Sequence, residues 1–273
     1  NTGNIEGTIA GGIAAYGSYN KNDSFINCYN AGQVNGSKAG GIAGSRGNVI
    51  IQNCHNYGKV VSTNIGAPIV GVDSGVWPGT GNLINNHAIE GNVEAPTVRP
   101  FYDTSTATSS SNAVTVGSTR EQFASGEIAY LLQQANGETA VWRQGENYPV
   151  FVSDENGKVV KIDFFTVIDD VASNESIATI YANIGEIVTE NKYPESPDTK
   201  YVVEGYYSNS ACTEKIDVDT YEPSEDAGIY VKLSDAHEHI WNYEIATTTT
   251  ENDTIIATCS EAECPITEPQ FVT

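Results

Sequence analysis

A phrase written twice constrains this chain more than anything else in it. Ile26-Asn27-Cys28-Tyr29-Asn30-Ala31-Gly32-Gln33-Val34 is followed by Gln52-Asn53-Cys54-His55-Asn56-Tyr57-Gly58-Lys59-Val60. Between them lies Ala39-Gly40-Gly41-Ile42-Ala43-Gly44, which echoes Ala10-Gly11-Gly12-Ile13-Ala14. A third, degenerate copy at Leu83-Ile84-Asn85-Asn86-His87-Ala88-Ile89-Glu90-Gly91-Asn92-Val93 puts Asn86 at the cysteine position, with one residue inserted. Units this short cannot enclose a core alone and bury their apolar faces by stacking. The expected fold is therefore mainly β, beginning with a parallel β-solenoid over residues 1–117. Equivalent residues then stand about 4.8 Å apart, one strand spacing. Asn27, Asn53 and Asn85 are expected to form a ladder of amides, each bonding the next. The glycines of the Ala-Gly-Gly-Ile-Ala pieces are expected where the coil turns tightly or at positive φ. Cys28 and Cys54 become strand neighbours whose side chains point the same way, which favours a buried thiol ladder over a disulfide.

The 35 acids outnumber the 13 bases and give a net charge of -22. In residues 1–100, Lys21, Lys38, Arg46, Lys59 and Arg99 balance Glu6, Asp23, Asp73, Glu90 and Glu94, so the excess all follows residue 100. Such a surface repels nucleic acid and anionic membranes. No apolar run has the length of a transmembrane helix, so direct membrane insertion is not expected. The opening Asn1-Thr2-Gly3-Asn4-Ile5, already in phase with Asn30-Ala31-Gly32-Gln33-Val34, suggests a fragment of a longer exported protein.

The alternation of Asn-Cys-Tyr-Asn-Ala-Gly-Gln-Val with Ala-Gly-Gly-Ile-Ala-Gly resembles the GLUG-type repeats of surface proteins from Gram-positive gut bacteria. The resemblance covers roughly the first third of the chain. It implies an extracellular, cell-wall-associated repeat region, as in adhesin-like proteins or beside the protease domain of some immunoglobulin A peptidases, and it implies no catalytic residue.

After the serine- and threonine-rich stretch 100–117, Ser118-Thr119-Arg120-Glu121 has capping-box spacing. Phe123, Ile128, Leu131 and Leu132 follow as a short apolar helical face interrupted at Gly126. With Val141-Trp142 and Tyr148-Pro149-Val150-Phe151, residues 118–157 are read as a cap over the open end of the solenoid. Residues 158–234 read as a small β-rich module with strands near 159–165, 201–206 and 229–233. Glu204-Gly205-Tyr206-Tyr207, Ala211-Cys212-Thr213, Lys215-Ile216-Asp217 and Ile229-Tyr230-Val231-Lys232-Leu233 resemble the internalin B-repeat family, a β-grasp-like surface module. Tyr206 and Leu233 stand where that family usually has tryptophan. His237-Glu238-His239-Ile240-Trp241 through Ala257-Thr258-Cys259-Ser260-Glu261-Ala262-Glu263-Cys264-Pro265 resembles short terminal repeats of clostridial surface proteins, and residues 235–273 are read as a small crosslinked β piece.

Cys259 and Cys264 are disulfide candidates in an exported protein, and that is the preferred reading. With His237 and His239 they can instead make a two-cysteine, two-histidine zinc site. Asp169-Asp170, 222–226 and 261–263 carry oxygen ligands of the kind calcium takes, without the spacing of a calcium loop. No other cofactor is expected. Trp77, with Tyr16, Tyr19, Phe101 and Tyr102, is a candidate sugar-stacking residue, whereas Trp142 and Trp241 are expected to anchor cores. Cys212 is left unpaired and is expected to be a buried or semi-buried core residue. No carboxylate recurs at a constant repeat position, so the acid pair that polysaccharide-cleaving β-helices need is not built. The function expected is a non-catalytic surface or adhesion fragment whose partner is a host or cell-surface protein or glycan. The alternatives are an accessory, non-catalytic region of a larger secreted peptidase or glycan-degrading enzyme, and a carbohydrate-binding module.

Overall fold

The computed structural model describes residues 1–16, 24–46, 50–73, 83–98, 115–153, 157–236, 241–248, 253–259 and 270–272. The protein is mainly β. It divides into two compact units, residues 1–161 with 180–187 and 222–226, and residues 162–179 with 188–221 and 227–273.

In the first unit each copy of the phrase supplies four short strands. They are β1 (Ile5–Gly11), β2 (Ala14–Tyr16), β3 (Ser24–Ile26) and β4 (Tyr29–Asn30), then β5 (Val34–Gly40), β6 (Ala43–Arg46), β7 (Ile50–Gln52) and β8 (His55–Asn56), then β9 (Val60–Ala67), β10 (Val70–Asp73), β11 (Leu83–Ile84) and β12 (Asn86–Ile89). Every strand pairs in parallel with its counterpart in the next copy, giving the orders β1-β5-β9, β2-β6-β10, β3-β7-β11 and β4-β8-β12. The first column is extended by β13 (Val93–Glu94) and β14 (Thr97–Val98), and the last by β15 (Thr115–Ser118). Register follows the repeated phrase: Ile5, Val34, Val60 and Val93 share a column, as do Tyr29, His55 and His87. The buried residues between the columns are small or β-branched, with Val34, Ala39, Ile42, Ala43, Ile51, Cys54 and Val60 fully enclosed.

The expected ladder is present. Asn53 Nδ2 donates to Asn27 Oδ1 at 2.6 Å, and Asn85 Nδ2 donates to Asn53 Oδ1 at 2.6 Å. All three residues have positive φ, between 49° and 58°. The glycines of the Ala-Gly-Gly-Ile-Ala pieces, by contrast, do not take positive φ, which corrects that part of the expectation. Asparagine tolerates the left-handed region because its short polar side chain can bond locally. The glycines serve close approach instead. A Cβ on Gly41 would lie less than 3.0 Å from the Pro68 carbonyl oxygen and from the Asn56 amide, and Gly12 meets Gly41 and Asn30 in the same way.

Asn86 fills the vacated cysteine position with an equivalent group. Cys28 N–H donates to Cys54 Sγ at 3.3 Å, and Cys54 N–H donates to Asn86 Oδ1 at 3.0 Å. Cys54 Sγ lies 3.3 Å from the Phe25 carbonyl oxygen, and Asn86 Nδ2 donates to that of Ile51 at 2.7 Å. Both cysteines are free thiols.

After β15 the chain forms α1 (Arg120–Ser125) and α2 (Glu127–Gln134), then the hairpin β16 (Trp142–Gln144) and β17 (Pro149–Phe151). The capping box is built by Thr119 and Gln122, one residue later than Ser118 and Glu121. Ser118 is held in β15 opposite Ile89, with its hydroxyl toward His87. Gly126, at φ 96°, separates the helices. Phe123, Ile128, Leu132 and Trp142 are buried against Ile89, Tyr29 and Tyr57, and Leu131 is partly exposed. The two helices do not merely cover the last copy. The last turn of α2 and the turn that follows it reach all three, because Asn53 donates to Leu132 O, Asn85 to Leu131 O, and Asn27 pairs with Asn136.

The sheet of the second unit has the order β19-β18-β21-β20, from β18 (Val159–Ile168), β19 (Val171–Asn183), β20 (Tyr201–Tyr207) and β21 (Ala227–Asp235). Residues 159–161 and 180–183 of β18 and β19 are grouped with the first unit. β21 is parallel to β18 and antiparallel to β20. Ile162, Phe164, Ile229, Val231 and Leu233 are buried. A separate antiparallel sheet joins β22 (Trp241–Thr248), β23 (Asp253–Cys259) and β24 (Gln270–Val272).

Candidate functional site

Trp77, His237, His239 and Cys264 lie outside the described residues, as do 261–263. Cys259 closes β23 and is half-buried. Asp169 and Asp170 both have positive φ and form the two-residue turn of the β18–β19 hairpin, where such φ values match the strand twist. Cys212 also has positive φ and sits half-buried in a turn rather than in a core. Among the described residues no three His, Cys, Asp or Glu side chains converge as a metal site.

The first unit concentrates its chemistry where the Tyr29–His55–His87 column meets the helices. His55 is fully enclosed and stacks on Tyr29 with ring centroids 5.1 Å apart, and Phe123, Trp142 and Tyr148 complete an aromatic box. Its Nε2 lies 2.9 Å from the Pro149 carbonyl oxygen. A carbonyl only accepts, so Nε2 carries the proton and Nδ1 is left bare, without a hydrogen-bond partner. His87 donates from Nε2 to Asn85 Oδ1 at 3.1 Å, and the Ser118 hydroxyl faces its Nδ1 at 3.5 Å. Burial holds both imidazoles neutral, lowering His55 to about 3 and His87 to about 4. They are therefore poor proton carriers at neutral pH, and they act as polar packing.

A pH dependence of stability follows from this. Above pH 6.5, the ordinary histidine value, both rings are neutral whether the chain is folded or not. Below it the unfolded chain takes up protons that the folded chain refuses until about 4 and then about 3. Stability should be fully present above pH 6.5 and fall by about 1.4 kcal/mol per pH unit per histidine on the way down to pH 4. Urea denaturation across that range measures the slope. His55→Phe keeps a ring in the box and should remove about half of it; an unchanged slope would exclude His55 as the group.

A cleft of about 480 Å³, also within the first unit, is lined by Tyr130, Gln134, Glu138, Lys158, Glu225 and Asp226 among others. The Tyr130 hydroxyl donates to Asp226 Oδ2 at 2.6 Å and accepts from Gln134 Nε2 at 2.7 Å, while Lys161 N–H donates to Asp226 Oδ1 at 2.8 Å. Burial and the Asp226 carboxylate push the Tyr130 phenol up to about 12, so it stays a donor. The cleft is a hydrogen-bonding groove, and its groups tie residues 222–226 to α2.

Sequence reasoning missed a second ladder. Asn1 Nδ2 donates to Asn30 Oδ1 and Asn30 Nδ2 to Asn56 Oδ1, both at 2.8 Å, and each amide also reaches the carbonyl two residues on. The signal was available: Asn-x-Gly recurs at Asn1, Asn30 and Asn56. No described helix is long and apolar enough to cross a membrane. In comparisons with family models, with curated proteins and with solved structures, nothing matches this chain.

Proposed function

We propose that the chain is a non-catalytic scaffold from the outside of a bacterial cell, a parallel β-solenoid followed by a β-grasp-like module and a small terminal β piece, which holds out or forms a surface for a host or cell-surface protein or glycan. The observation that carries this reading is the use made of the repeated polar side chains. The amides of both ladders bond one another and the backbone, and the column imidazoles are enclosed. The repeated phrase thus maintains its own stacking, which is what a scaffold needs. Four columns of in-register parallel strands support the solenoid. The order β19-β18-β21-β20, with β18 parallel to β21, supports the β-grasp-like reading. The net charge of -22 disfavours a nucleic-acid partner.

The test is to screen the full chain for binding against host-protein and glycan arrays, and in parallel for turnover of peptide and polysaccharide libraries. Saturable binding without turnover is expected. Turnover that disappears on substitution of one of the chain's own side chains would sink the proposal.

A further inference from the structure

Cys28 and Cys54 occupy equivalent positions in the first and second copies, and Cys54 Sγ accepts the Cys28 N–H at 3.3 Å. Neighbours across a parallel ladder stand about 4.8 Å apart, inside the Cα range of roughly 4.4–6.8 Å that a disulfide tolerates. Their environments differ. Cys54 is enclosed, with the Phe25 and Gln52 carbonyl oxygens at 3.3 and 3.2 Å from its sulfur. Cys28 is half-exposed, in the copy whose β4 pairs only with β8 among the described residues, and its sulfur faces the Cys54 thiol and lies 3.5 Å from the Ile26 carbonyl oxygen.

We propose that Cys28 and Cys54 form a reversible redox pair, with Cys28 the thiol that reacts with hydrogen peroxide and Cys54 the thiol that resolves it.

The Cys28 thiolate attacks one peroxide oxygen. The O–O bond breaks, an S–O bond forms, and hydroxide leaves. The Cys54 thiol gives its proton to that hydroxide, making the first water. Its sulfur then attacks the Cys28 sulfenic sulfur, the S–O bond breaks, and the departing hydroxyl takes up a proton from solvent, replacing the one Cys28 released on ionising, to leave as the second water. Two thiols lose one electron each, and the peroxide is reduced by two. The Cys54 thiol, donating toward the Cys28 sulfur, favours the Cys28 thiolate and lowers it to about 7 against the opposing effect of burial, with a smaller contribution from the N-terminal ammonium. Deeper burial, and then the same pairing, push Cys54 up, so it keeps its proton until the hydroxide released beside it takes it. In-register side chains point the same way, so the bond forms under strain and is readily reduced again. Closing it would staple the first copy to the second.

Cys212 is an internal comparator, half-buried like Cys28 but with its thiol pushed up by burial. The full chain is treated with limiting hydrogen peroxide near neutral pH and mapped with trypsin, which releases Cys28 in residues 22–38 and Cys54 in residues 47–59. The expected result is oxidation of Cys28 at least about tenfold faster than Cys212, with the 22–38 and 47–59 peptides joined at the loss of two hydrogens and separated again by dithiothreitol. In Cys54→Ser, Cys28 should stop at the sulfenic acid and be captured by dimedone. In Cys28→Ser, Cys54 should stay reduced. Equal rates at Cys28 and Cys212, a sulfinic Cys28 without the joined peptide, or a joined peptide in either serine variant would each overturn the proposal.

Discussion

Gly41→Ala is expected to cost about 3 kcal/mol or more of stability in the repeat unit, the largest effect foreseen for a single added methyl group. Gly41 is buried, and the new Cβ would lie less than 3.0 Å from two neighbours that cannot swing away. One is the Pro68 carbonyl oxygen in the next copy, part of the backbone that joins β9 to β10. The other is the amide of Asn56, held by Asn30 and by the Gly58 carbonyl oxygen. Relief therefore requires two copies to part or a ladder to break. Gly91→Ala is the control: nothing lies within 4 Å of its Cβ position, but its φ is +72°. That variant should lose only the left-handed penalty of about 1 kcal/mol. Urea denaturation of both variants separates close approach from backbone conformation. Equal losses would show that the crowding at Gly41 is relieved without cost.

Asn53→Ala is expected to destabilise by about 3 kcal/mol, through lost bonds at a site 1 % exposed. Asn53 sits mid-ladder, donating to Asn27 Oδ1 and to Leu132 O and accepting from Asn85. Leu132 O is a carbonyl in the last turn of α2, where no backbone N–H of the helix is available to it. The variant should therefore loosen the docking of α2 as well as the stacking of copies. Trp142 reports on this directly, because its indole N–H donates to Asn27 Oδ1 at 3.3 Å. A red shift of its emission is expected before global unfolding. Asn53→Gly should recover about 1 kcal/mol, since glycine accepts the φ of 58° that alanine resists. If alanine and glycine behave alike, the backbone contributes nothing there and the amide accounts for the whole loss.

The residues in these predictions differ in how visible they were. Asn27, Asn53 and Asn85 were legible as a ladder because a repeated phrase that stacks must place equivalent side chains one strand spacing apart. The thiol pair was legible for the same reason. The positive φ of the asparagines was not, since glycine takes that conformation at the least cost and glycine-rich segments flank each asparagine. Nor was β19, whose residues Val171-Ala172-Ser173-Asn174-Glu175-Ser176-Ile177 show no apolar alternation and are largely exposed. The Thr119 cap was displaced from Ser118 by a pairing with β12 that no local pattern announces.

By itself the sequence determined that copies stack, which residues share a column, and that the repeats are charge-neutral while the acidity follows them. Periodicity does this, because a translation along the chain becomes a translation between strands. Only the tertiary structure decided what lies against each column. It turned the end of α2 onto the asparagine ladder, where two ladder amides meet carbonyls of its last turn and the third meets Asn136, and it closed an aromatic box over His55. It left Cys28 half-exposed beside an enclosed Cys54. Those outcomes depend on which surface a distant segment covers, and burial of that kind, not residue type, separates a reactive thiol from an inert one and a neutral imidazole from a charged one.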